Sequence, residues 1–552
     1  MEKRSLLAVG LSLLLFIAYF WLTGGGAKHP APAEGTTAPE VAATGKEEPS
    51  TSSKPASLRV VEPPEEQILQ HPEKLFSWQD KFSQSKWTSV TGLPQSWQLK
   101  NFYEQAGKQG GLRELLNLSS QETQESTQNY PMTWLLFPQQ GSVLPHFETF
   151  EEGQGQAQAK GQYGNLNIQQ EVNLTSEAYS FKLRLTLSNQ GQEALVVAPG
   201  LRILLSQITE KRSFLNFSPQ VRQIHPLYYQ DNSVERMAKV KDLPAYGEVL
   251  GNLNWGGLED LYFLRAILSE RLSQTGALSH QVAYGQSDGQ VFADFRYPTE
   301  SLAPGASKTY EYTVFLGPKS SEALGAFKGL GLDKALDLGF LAFIAKPLLW
   351  ALKFFHRFLF NWGLAIIVLT LSVRLLTYPL TKKSMSSMKA MKEIQPRLKE
   401  LQEKYKDDRE RLNQEMMSLF RTHKVNPAGG CLPMVLQMPV YFALYRVLYN
   451  ATELHHAPFV GPYQDLSAPD PYFILPIILG FFFFLQQKLT PSTGDAAQAK
   501  MMKFMPVMFT GLMLFLPVGL VLYILVSTAL GVLQQYLTQR EMKFVDLFRR
   551  RA

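Results

Sequence analysis

The sequence predicts a multi-domain membrane protein: six transmembrane helices, a large all-β domain outside the cytoplasm and a cytoplasmic helical hairpin. Three observations predict it. The 552-residue chain is polar and rich in Gln, Ser and Gly up to about residue 330, then carries apolar runs long enough, at about 20 residues, to cross a bilayer. The polar part shows the two-residue alternation of half-buried strands. Finally, Lys and Arg gather at alternate ends of the apolar runs, as the cytoplasmic ends of spans require.

The opening segment, 1–23, has Lys3 and Arg4 before an apolar run from Leu6 to Leu22. It reads as an uncleaved signal anchor, with "APA" at Ala31 to Ala33 as the competing cleavage signal. Residues 24–64 are Pro, Ala, Thr, Ser and Glu, too poor in large apolar residues to pack, and read as a disordered linker. Residues 65–330 form the β domain. In "SFKLRLTLSNQG", Phe181, Leu183, Leu185 and Leu187 face one way and Lys182, Arg184 and Thr186 the other. The runs "GNLNIQQEVNL", "QVFADFRYP" and "KTYEYTVFLG" complete the case for a large sandwich. Sandwiches of this kind often bind carbohydrate, but neither paired carboxylates nor clustered histidines stand out here, so scaffold is the reading.

Residues 331–357, with Lys346, Lys353 and Arg357 on an apolar stretch, suit an amphipathic helix lying in the interface. The spans follow at 358–380, 431–450, 472–488, 501–517 and 518–537, the last apolar run being divided by Pro517 and Gly519. Lys382, Lys383, Lys389 and Lys392 follow the second span, Lys488, Lys500 and Lys503 lie around the 489–500 loop, and Arg549 to Arg551 close the basic tail 538–552. All belong in the cytoplasm with both termini, whereas the 451–471 loop has Glu453, Asp465 and Asp470 but no Lys or Arg and lies outside. The cytoplasmic segment 381–426 spaces Met388, Met391, Leu398 and Tyr405 helically, breaks at "KDDRE" and resumes at Leu412, Met416 and Leu419, which makes a helical hairpin. Its mixed charges are either a solvated face or a docking surface, and they do not form the basic stripe of a DNA-binding protein.

Arg374 lies inside the second span, where an arginine costs about 2.5 to 3.5 kcal/mol on insertion scales unless something answers its charge. Thr370, Arg374, Thr377 and Thr381 share one helical face. Gln437, Gln486, Gln487, Ser527, Thr528, Gln534 and Gln535 add polar groups in the cytoplasmic halves of other spans. Snorkelling to the headgroups and amide glue between helices are the plain accounts of these residues. A one-sided polar set around a cation instead points to a hydrophilic groove that opens to the cytoplasm and ends part-way across.

Other candidates carry less. His455 and His456 beside Glu453 read as bystanders and not as a metal site, Cys431 as inert packing, and Met501, Met502, Met505, Met508 and Met513 as core. GxxxxGK[ST] and HExxH are absent from the sequence, which leaves no footing for an ATPase or a zinc protease and no sign of a cofactor. From the residues alone, a polytopic transporter and a membrane-anchored, glycan-binding envelope protein stay open beside a groove that handles other proteins.

"NWGLAIIVLTLSVRLLTYPLTKKSMSSMKAM", "QEMMSLFRTHKVNPAGGCLPMVLQMPVYFALYRVL", "DPYFILPI" and "LPVGLVLYILVSTALGVLQQ" closely resemble, in order, the YidC/Oxa/Alb family of membrane protein insertases. The resemblance implies a five-helix insertase core around a cytoplasm-facing groove in the bacterial inner membrane, and a periplasmic β supersandwich shaped like a sugar mutarotase. It puts the groove arginine at Arg374, a groove position at Thr370 and a facing aromatic at Tyr523; Gln437, Gln487, Ser527 and Thr528 join the groove from the polar pattern above. Met438, Pro439 and Tyr441 fall on a greasy slide that touches clients, and Tyr378 and Asp495 near the ribosome. Many relatives have an aromatic at Ile524 and an asparagine at Thr528, where this chain departs. The implied partners are nascent membrane proteins, the Sec translocon (SecYEG and SecDF), the ribosome and the lipid bilayer. The implied activity is insertion and chaperoning without enzymatic chemistry.

Overall fold

The structure is a computed structural model. It describes residues 73–116, 130–138, 146–153, 155–175, 177–206, 223–237, 246–251, 253–268, 280–287, 289–406, 408–423, 432–489 and 496–539. The 1–23 anchor, the 24–64 linker, Cys431, Asp495 and the basic tail beyond residue 539 lie outside the described residues.

The β domain is built on a nine-stranded antiparallel sheet running from Ser233–Arg236 at one edge to His146–Gly153 at the other. Against it packs a five-stranded sheet centred on Gln290–Arg296, and a four-stranded sheet formed by Leu75 to Glu114 closes one end. Alternation works as it must in a sheet wet on one face. In Ser180–Asn189 the side chains of Phe181, Leu183, Leu185 and Leu187 are buried, while Arg184 on the opposite face bonds Glu171 and Glu311 on the two neighbouring strands. The core holds the fully buried indoles of Trp87, Trp97, Trp134 and Trp255, and Trp134 donates to the buried Gln170 amide at 3.0 Å.

A short helix α1 (Ser321–Gly325) leads out of the sheet, and α2 (Ala342–Leu359) follows. One face of α2 buries Ala345, Leu349 and Leu352, and the other exposes Phe343, Trp350, Phe354 and Phe358 as an aromatic strip. Phe360 turns the chain with φ at 53°, and Asn361 caps α3 (Trp362–Lys404) by accepting the Leu364 N–H at 3.0 Å. The second span therefore starts after Phe358, which belongs to α2. The helix does not stop at 380: α3 continues through Pro379 to Lys404, because the Lys, Met, Ala, Glu and Leu that follow favour helix. The segments predicted as the second span and as the first hairpin arm are one continuous helix. α4 (Arg409–Thr422) folds back on it, with Leu419 and Phe420 against Met391 and Ile394.

The remaining helices are α5 (Leu432–Asn450), α6 (Ile474–Leu489), α7 (Ala496–Met513) and α8 (Val518–Gln539). The last apolar run is broken between Met513 and Val518, where Pro517 pairs with Pro469 of the preceding loop. Helix α7 begins at Ala496, so the loop predicted at 489–500 is shorter than its boundaries. Trp362–Lys382 and Val518–Gln539 are long and apolar enough to cross a bilayer; Ile474–Leu489 and Phe504–Met513 are shorter apolar helices. Helix α8 packs against α3, α5 and α6, while α2 lies across α3 and α5.

The β domain rests on the helical half. Thr452, in the loop after α5, donates to the Tyr262 carbonyl at 3.2 Å, and Lys353 of α2 lies 2.8 Å from Glu322 of α1 and 2.6 Å from Glu453. The segment between α1 and α2 is tied to both halves: Arg236 donates to the Ala335 carbonyl at 2.7 Å, and Asn450 to the Asp337 carbonyl at 2.9 Å.

Candidate functional site

Two helical faces meet along α3 and α8. On α3 the 3.6-residue repeat aligns Thr370, Arg374, Thr377 and Thr381; on α8 it aligns Tyr523, Ser527, Gly531 and Gln534. Arg374 is half-buried. Its Nε donates to the Ser527 hydroxyl at 3.1 Å, and its Nη2 to the same hydroxyl at 2.8 Å and to the Ser527 carbonyl at 2.6 Å. These charge-assisted bonds solvate the guanidinium without neutralising it, since hydroxyl and carbonyl are dipoles. No carboxylate pairs with Arg374 among the described residues, so a net positive charge remains in an apolar surround.

The seam continues in both directions. Toward the centre of the helical half, Gln437 of α5 donates to the Tyr523 hydroxyl at 2.9 Å, and Tyr441 meets the Tyr523 ring edge-on with centroids 5.7 Å apart. Two turns beyond Arg374 in the other direction, Gln534 donates to the Thr381 hydroxyl at 2.9 Å. Thr370 is completely buried, and its hydroxyl returns to the Ile366 carbonyl of its own helix at 2.6 Å. Tyr523, Ser527 and Thr528 are buried as well.

A family model described as the 60Kd inner membrane protein matches residues 354–545, and one described as the YidC periplasmic domain matches residues 95–351. The membrane protein insertase YidC of Geobacter sulfurreducens is 36% identical over 559 residues, covering 99% of this chain and 100% of the relative. The chain belongs to the YidC family. The membrane protein insertase YidC of Oleidesulfovibrio alaskensis is 34% identical, covering 97% of this chain and 98% of its own. A crystal structure of an active YidC insertase with its first transmembrane domain resolved aligns at 17% identity and a TM-score of 0.37, over 84% of this chain and 93% of that one.

In this YidC-family chain the structure joins Arg374 to Ser527 and Gln437 to Tyr523. Met438, Pro439 and Tyr441 are half-buried on α5, Tyr378 is exposed on α3, and Gln487 is half-buried on α6. Sequence reasoning missed Gly531 and the pairing of Gln534 with Thr381. The available signal was spacing: Ser527, Gly531 and Gln534 continue the face of Tyr523 at four, four and three residues.

Proposed function

We infer that this chain is a membrane protein insertase that receives nascent inner-membrane proteins in the polar site along α3 and α8 and releases their helices into the bilayer. The observation that carries this is Arg374: a cation inside an apolar span, solvated by Ser527 and unmatched by any carboxylate among the described residues. A structural ion pair would have its partner in the chain. An unmatched charge is a place for a passing anion, and an acidic residue in the short tail of a client supplies one.

The energetics suit that role. Burial of the client's apolar helix in lipid supplies most of the drive, at about 25 cal/mol per Å². The membrane potential, positive outside, adds about 2.3 kcal/mol per acidic charge per 100 mV for a tail moving outward. Insertion moves a chain between solvents and breaks no covalent bond.

The finer topology belongs to the same reading. With the β domain in the periplasm, six spans put both termini and the α3–α4 hairpin in the cytoplasm, where Lys382, Lys389 and Lys392 lie beside the end of the span. That side faces the ribosome, with Tyr378 and Asp495 near it, and the Sec translocon (SecYEG and SecDF) is the partner for clients too large to insert alone. Met438, Pro439 and Tyr441 are the surface along which a client helix leaves.

The test compares matched clients with acidic and neutral tails in vesicles that hold equal amounts of each variant. Arg374→Glu reverses the field, where a charge pair at an effective dielectric near 20 is worth about 4 kcal/mol at 4 Å, so acidic clients should lose most. Arg374→Lys keeps the charge without the planar fork and should keep partial function. Equal losses for both clients would show that Arg374 serves packing alone.

A further inference from the structure

The seat of Arg374 is as specific as the arginine itself. Within α8 the Ser527 carbonyl faces the N–H of residue 531, four residues on, and a second donor reaches that carbonyl only where the side chain at 531 stays out of its way. Residue 531 is glycine. A Cβ placed there would lie 3.3 Å from Nη2 and 3.7 Å from both Cζ and Nη1 of Arg374, and these three are its nearest neighbours outside its own helix backbone. The missing side chain of Gly531 thus makes room for a guanidinium. Gly519 on the same helix faces the Leu466 carbonyl and Ile366 instead, in the ordinary manner of close packing.

The docking also leaves a particular edge of the guanidinium available. A guanidinium offers carboxylates one edge through Nε and a terminal nitrogen and another through the two terminal nitrogens. Ser527 holds Nε and Nη2, while Nη1 bonds no described residue. We propose that Ser527 and Gly531 form a receptor on α8 that seats Arg374 by its Nε edge and presents the Nη1 edge to the client's carboxylate, with Gly531 the positioning residue that sets where this charge stands. The proposal rests on the reading of Arg374 as the client-facing charge.

The experiment measures insertion of the paired acidic and neutral clients by the full-length protein in vesicles, with equal amounts of folded protein checked by limited proteolysis. Gly531→Val should lower the ratio of acidic to neutral insertion several-fold, toward that of Arg374→Ala. Gly531→Ala, which asks the guanidinium to move only a few tenths of an ångström, should fall between and serves if the valine variant fails to fold. Ser527→Thr should keep the ratio and Ser527→Ala reduce it. In an Arg374→Ala background Gly531→Val should change the ratio no further. A Gly531→Val defect equal for both clients, or one of the same size in the Arg374→Ala background, overturns the seat. If Arg374→Ala leaves the ratio unchanged, the client-facing reading of Arg374 falls first and the seat with it. If Arg374→Ala lowers the ratio and neither Gly531 variant does, the seat alone is wrong.

Discussion

The imidazole of His455 lies on the ring of Tyr262, with centroids 4.5 Å apart and planes inclined by 29°. One aromatic contact thus joins the loop after α5 to the turn at the base of the β domain, beside the hydrogen bond from Thr452 to the Tyr262 carbonyl. Burial first, and His456 next, hold His455 well below the ordinary histidine value; Arg113 adds to this, and Asp465 and Asp260 oppose it.

The contact should therefore weaken in acid. A histidine that is neutral when docked and titrates near 6.5 when released contributes its full stability above about pH 6.5 and loses it progressively below. Hydrogen exchange of residues 253–268 and 451–457, followed from pH 7.5 to 5, should show protection falling in the wild type. His455→Phe keeps the stack without the proton and should flatten the profile. His456, which pairs with Asp465 at 2.7 Å, is present in both proteins, so the difference between the profiles reports His455. Superimposable profiles would remove His455 from the account.

Lys353 lies between two carboxylates, one on α1 and one in the loop after α5. Burial works against its charge, but Glu453 and Glu322 outweigh that and hold the ammonium above the usual lysine value. This contribution is complete at neutral pH and is lost only as the pH rises above the ordinary lysine range. Lys353→Met should destabilise the docked arrangement by about 2 kcal/mol, since Glu453 is left largely buried without its partner. Adding Glu453→Gln should return part of the loss. Strictly additive effects on thermal unfolding would show that the two side chains do not interact.

The Gln437 to Tyr523 bond predicts an asymmetry. Tyr523→Phe strands a buried amide donor and should cost about 1 to 2 kcal/mol, whereas the double change Gln437→Met with Tyr523→Phe removes both polar groups and should cost less than the single change. Unfolding of the four proteins in one detergent closes the cycle. A double variant worse than both singles would mean that the pair serves shape and not hydrogen bonding.

The division of labour between sequence and fold is visible at these same residues. Alternation alone identified Phe181, Leu183, Leu185 and Leu187 as the buried face of a strand, because a strand turns its side chains over every residue. The helical repeat put Thr370, Arg374, Thr377 and Thr381 on one face, and Pro517 marked the break in the last apolar run. A repeat of this kind says which side of an element is turned inward and leaves its partner undetermined. The end of α3 was not legible, since a change from apolar to charged residues at Lys382 predicts an edge of lipid and not the end of a helix. Lys353 read as one of three cations on an interfacial helix until the fold brought Glu322 of α1 and Glu453 beside it. The bond from Arg374 to Ser527 joins residues 153 apart in the chain, and that from Thr452 to Tyr262 residues 190 apart. Such distances are set by how every intervening segment packs, so the sequence by itself determined the faces and the tertiary structure alone decided what each face meets.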